Sequence, residues 1–68
     1  MPIVRVEMLP GRTQAQKAEY AREVTRLTVE ILGCTAEAVD VIFSEIDRQD
    51  WARAGELYSA PAELSHSD

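Results

Sequence analysis

Val4, Val6 and Met8 alternate with Arg5 and Glu7, the period-two pattern of a strand with one apolar and one polar face. The pattern predicts a strand from Pro2 to Leu9, closed by Pro10 and Gly11. Thr13 then supplies an N-cap hydroxyl, and Gln16 stands three residues later, the T-x-x-Q form of a capping box. From Gln14 to Leu32 the positions Ala18, Ala21, Val24, Leu27, Thr28, Ile31 and Leu32 recur at three- and four-residue steps, which predicts an amphipathic helix that Gly33 ends. Thr35 to Ala38 is expected to make a single turn.

Val39 to Ile46 is rich in β-branched and aromatic residues and predicts a second strand. Val39, Val41 and Phe43 fall on one face, with Asp40, Ile42, Ser44 and Ile46 on the other. Strand, long helix and strand make a right-handed βαβ crossover with parallel strands. One helix covers only one face of such a sheet, so Ile42, Ile46 and Ile3 or Leu9 are left to meet another surface. That need predicts a homo-oligomer. Asp47 to Asp50 reads as a loop, and Trp51 to Tyr58 as a short hairpin or a helical turn. The expected fold is therefore α/β, with one domain over residues 1–58 and a flexible tail over 59–68.

The 68 residues change this picture in one respect, because a chain so short buries only about 60% of the surface its unfolded form exposes. No staple offsets this. Cys34 is the only cysteine and His66 the only histidine, so no disulfide framework or metal site is expected. Cys34 reads as a small half-buried residue near a helix end. Assembly is the remaining route to stability.

A net charge of −5 argues against nucleic acid as a partner. It does not exclude an anionic small molecule, since local charge can oppose global charge. No stretch reads as a signal peptide or a membrane span. With the unpaired cysteine, this places the expected chain in the cytoplasm.

Chemistry enters at Pro2. A proline lacks an N–H and is tolerated at the first position of a strand. Once Met1 is removed, Pro2 presents a secondary amine at a rigid strand end, able to carry a proton. Arg12, taken alone, reads as a solvated guanidinium beside a helix N-cap. Trp51 reads as an aromatic interface anchor, and Ile3 as core. Tyr20 and Tyr58 read as packing or interface residues, and Glu19 and Glu23 as a solvated helix face beside Lys17, Arg22 and Arg26.

Proline after methionine, the apolar strand, Gly11-Arg12-Thr13 leading into a helix with Gln16-Lys17, and the strand from Val39 to Glu45 together resemble the small subunits of the 4-oxalocrotonate tautomerase family. The resemblance spans roughly residues 2 to 58. It implies a βαβ protomer paired with a second subunit, often as a trimer of dimers, and therefore a hexamer. It implies an enol–keto tautomerase acting on a small carboxylate such as a 2-hydroxydienoate or an enolpyruvate, with no cofactor. In that scheme the amine of Pro2 moves the proton and Arg12 binds a carboxylate or polarises the carbonyl. Trp51 forms an apolar wall, and Ile3 lines the same pocket.

The resemblance breaks at Asp40, where the well-studied members carry an arginine that polarises the carbonyl and binds a far carboxylate. Three expectations compete. In one, Asp40 turns outward or pairs with Arg5 or Arg12, and the chain is a tautomerase for a smaller or monoanionic enol. In another, Asp40 activates water while Pro2 stays protonated, giving a hydratase, decarboxylase or dehalogenase-like lyase. Arg48 or Arg53 could replace the missing cation in either. In the third, the chain is a non-catalytic partner subunit or a structural homo-oligomer.

Overall fold

β1 spans Ile3–Met8 and leads, through Gly11 in a left-handed-region turn at φ 127°, into α1 over Gln14–Leu32. The computed structural model describes residues 1–59. The expected tail lies outside the described residues except for Ser59. The capping box forms as its sequence demands. The Gln16 N–H donates to Thr13 Oγ1 at 3.0 Å, and the Thr13 N–H donates to Gln16 Oε1 at 2.9 Å. Two of the helix's orphan donors are thereby satisfied. At the other end Gly33 takes φ 75° and its N–H reaches the Val29 carbonyl at 3.0 Å, a conformation that costs glycine little.

β2 covers Asp40–Glu45 and runs parallel to β1, pairing Ile3 with Asp40, Arg5 with Ile42 and Met8 with Glu45. Val39 lies outside the strand, ending a 3₁₀ turn over Ala36–Ala38. The strand pairing is extended at both ends: the Asp40 N–H donates to the Pro2 carbonyl at 3.1 Å, and the Ile46 N–H to the Met8 carbonyl at 2.9 Å. Val4, Val6 and Met8 and, from β2, Val41 and Phe43 are half-buried, while Arg5, Glu7, Asp40 and Ile42 stay exposed. Tyr20 of α1 meets the Phe43 ring edge-on, with centroids 6.0 Å apart, fixing the helix to the sheet.

The helix surface differs from the expectation. Ala21, Val24 and Thr28 are half-buried, but Ala18, Leu27, Ile31 and Leu32 are exposed, Ile31 at 72%. A two-stranded sheet is too narrow to cover so wide an apolar stripe. Lys17 also departs from its expected role on the helix surface. It pairs across to Glu45 of β2 at 2.5 Å, while Arg26 pairs with Glu23 at 3.0 Å and Glu30 at 3.5 Å.

After a 3₁₀ turn at Arg48–Asp50, the chain forms a hairpin, settling the choice left open by its sequence. β3 (Ala52–Arg53) pairs antiparallel with β4 (Glu56–Leu57). Ala54 and Gly55 link them at φ 54° and 83°, the two positive angles of a type I′ turn. No described residue is buried as deeply as a core side chain. Among the described residues, no helix is long and apolar enough to cross a membrane.

Candidate active site

Parallel pairing sorts the candidate residues into two groups at opposite ends of the sheet. At the start of both strands lie Pro2, Ile3 and Asp40. Pro2 is half-buried behind an 89% exposed Met1, and its carbonyl holds the Asp40 N–H. Having no N–H of its own, Pro2 leaves no ladder donor unpaired. Ile3 is 57% exposed and sits opposite Asp40 in the register. Among the described residues no ion pair joins Asp40 to Arg5 or Arg12.

At the far end of β1, Arg12 borders a cavity of about 630 Å³ whose lining includes Glu7, Arg48, Trp51, Arg53 and Tyr58. The hairpin builds its aromatic wall. Pairing of Ala52 with Leu57 places Trp51 and Tyr58 opposite each other, and the Tyr58 N–H donates to the Trp51 carbonyl at 2.8 Å. The two rings stack with centroids 6.0 Å apart at 24°. Guanidinium carbons of Arg53 and Arg48 lie 5.2 and 6.0 Å from the centre of the Tyr58 ring, within reach of a cation–π attraction. Among the described lining residues, three guanidiniums stand against one carboxylate, that of Glu7, on a chain whose net charge is −5. A smaller, more apolar cleft of about 240 Å³ lies between α1 and the sheet and shares Arg12 with it.

The structure thus gathers Arg12, Arg48, Trp51 and Arg53 but does not bring them to Pro2. Six strand residues at about 3.3 Å each separate the two groups by roughly 20 Å. Tyr58, read from the sequence as a packing or interface residue, and Glu7, read as a polar strand position, also line this cavity. Their place in the cavity depends on the hairpin register and on where β1 ends, and neither carries a local motif. Among the described residues, no cluster of three or more His, Cys, Asp or Glu side chains could hold a metal ion.

Comparison with known proteins adds independent observations. The family model described as "Tautomerase enzyme" matches residues 2–60. A probable tautomerase of Ralstonia nicotianae (strain ATCC BAA-1114 / GMI1000) is 40% identical over 58 residues, covering 85% of this chain and 89% of the relative. A solved 4-oxalocrotonate tautomerase homologue superposes with a TM-score of 0.85 at 36% identity, covering 90% of this chain and 97% of the other. A heterohexamer 4-oxalocrotonate tautomerase from Chloroflexus aurantiacus J-10-fl gives a TM-score of 0.80 at 28% identity, covering 88% and 97%.

Proposed function

This chain belongs to the tautomerase family, and from that premise we propose that it is an enol–keto tautomerase whose catalytic base is the amine of Pro2 in the chain lacking Met1. The observation that carries the reading is the position of Pro2, immediately before β1 and as the first residue of the family match. Met1 is 89% exposed and so open to removal. While Met1 is present, the Pro2 nitrogen is an amide and holds no proton to exchange.

The substrate class that fits is a small conjugated 2-hydroxy carboxylate. Pro2 takes the proton of the enol hydroxyl and returns it to a carbon of the conjugated system, leaving the ketone. A general base works best with a pKa near the operating pH. Apolar walls and neighbouring cations both disfavour the ammonium form of Pro2, and the Trp51 wall and Arg12 offer both. Arg12 also suits the carboxylate, because its planar fork binds two oxygens at once.

Those groups lie roughly 20 Å from Pro2 in their own protomer, so the proposed site is composite. Each strand of a two-stranded sheet has one free edge. Two-fold pairing of such edges between protomers is antiparallel and sets the strand start of one copy beside the strand end of the other. Pro2 of one protomer then meets Arg12 and Trp51 of its partner. Exposed Ile3, Ile42, Leu27 and Ile31 and the lack of any core-like burial among the described residues support assembly as a homo-oligomer. A dimer or a trimer of dimers meets this need. The heterohexamer relative supports the larger state.

Backbone attachment of Asp40 to Pro2 favours a second reading, in which Asp40 activates water and Pro2 acts as an acid in a lyase. An ultraviolet assay separates the two. Ketonisation of 2-hydroxymuconate or phenylenolpyruvate above the buffer rate is expected of the tautomerase, with intact mass confirming loss of Met1. Absence of ketonisation by the processed protein counts against it.

A further inference from the structure

We infer that the site selects monoanionic over dianionic substrates, holding the carboxylate at the Arg12, Arg48 and Arg53 cluster and directing an uncharged conjugated end toward Pro2 and Asp40. This rests on the composite tautomerase site proposed above. It adds to that reading the orientation of the substrate and the residue that rejects a second charge.

The two ends of the sheet carry opposite charge. At one end, among the described residues, three guanidiniums and one carboxylate, Glu7, line a cavity of about 630 Å³. At the other, Asp40 is exposed and fixed beside Pro2 by its backbone hydrogen bond. The nearest cation in the β1 register is Arg5, two positions beyond Ile3, and no ion pair ties it to Asp40 among the described residues. Arg53, stationed 5.2 Å from the centre of the Tyr58 ring, is oriented by that ring as well as charged. Its fork suits one carboxylate in two-point contact. The stacked Trp51 and Tyr58 rings provide a flat apolar surface that a conjugated, planar chain can lie against.

A ligand reaching from the arginine cluster to Pro2 of the partner places its far end near Asp40. A neutral aryl or alkenyl end meets no penalty there. A second carboxylate does: two like charges about 6 Å apart, at an effective dielectric of about 40, repel enough to weaken binding roughly tenfold. Replacing Asp40 with asparagine removes the repulsion while nearly preserving side-chain volume.

Trp51 is the only tryptophan, so its fluorescence reports on this cavity alone. The test titrates the assembled, Met1-free protein with two unreactive planar acids, cinnamate as monoanion and trans,trans-muconate as dianion. Cinnamate is expected to bind at least about tenfold more tightly. In Asp40→Asn the preference should shrink to about threefold or less through gain of muconate binding, and Arg53→Gln should weaken both ligands by about tenfold. Equal or tighter binding of muconate by the unaltered protein overturns the inference. So does a preference that Asp40→Asn leaves unchanged, or the absence of binding by either acid. The readout is independent of turnover. Selective binding without ketonisation of phenylenolpyruvate removes the tautomerase reading alone, whereas ketonisation without selectivity removes only this inference.

Discussion

The Asp40 N–H donates to the Pro2 carbonyl at 3.1 Å, so the residue with the most suggestive nitrogen in the chain is fixed beside a carboxylate-bearing neighbour. A carboxylate near an amine favours the ammonium form and raises its pKa. If Pro2 is the base, the reaction requires the free amine, and the rate rises with pH through the pKa of Pro2. Asp40→Asn removes the stabilisation of the ammonium, so that pKa falls. The acidic limb of the kcat/KM profile should shift to lower pH, by about half a unit to one unit. Loss of all activity in the variant would instead favour the water-activating role of Asp40, and a limb that moves to higher pH would contradict an effect of its carboxylate on Pro2.

Removing the secondary amine tests Pro2 directly. Pro2→Ala should lower kcat by about 10²- to 10⁴-fold, the usual contribution of a positioned proton carrier. The mass from light scattering should not change, because Pro2 contributes only its carbonyl to the strand pairing. Loss of activity together with dissociation would assign Pro2 a structural role.

Assembly should be inseparable from stability. No described residue reaches core-like burial, and Ile31 is 72% exposed, so a free protomer has little apolar burial to set against its chain entropy. Thermal unfolding should therefore shift to higher temperature as protein concentration rises. Ile31→Glu, harmless on a solvated helix, should reduce the light-scattering mass. A concentration-independent Tm with a monomeric mass would contradict this.

The hairpin carries a small, removable strain. Ala54 holds φ 54°, a left-handed conformation that costs a residue with a Cβ about 1 kcal/mol. Ala54→Gly, or the Asn-Gly turn made by Ala54→Asn, should stabilise the hairpin by about 0.5 to 1 kcal/mol. Denaturant unfolding checks the sign.

Much of this architecture was legible from spacing. The alternation of Val4, Val6 and Met8 identified the covered face of β1, and Thr13 with Gln16 identified the helix start within a residue. Those signals are local, and local geometry satisfies them. The exposure of Leu27, Ile31 and Leu32 was not legible, because periodicity records that a face is apolar and not which surface covers it. The same limit applies to the site. Arg12, Trp51, Arg48 and Arg53 converge on one cavity, whereas Pro2 is held at the other end of β1. Parallel pairing imposes that separation. Sequence order names the candidates, and under the proposed composite site their meeting requires a second copy.

The composite site is therefore the claim to test, and subunit complementation tests it most directly. Pro2→Ala and Arg12→Gln proteins, each inactive alone, are mixed, unfolded together and refolded. If Pro2 of one protomer works with Arg12 of its two-fold partner, half of the random dimers carry one intact site in two, and activity should return to about a quarter of the unaltered level. Recovery near that level supports the account. A mixture no more active than either parent, with assembly confirmed by light scattering, contradicts it.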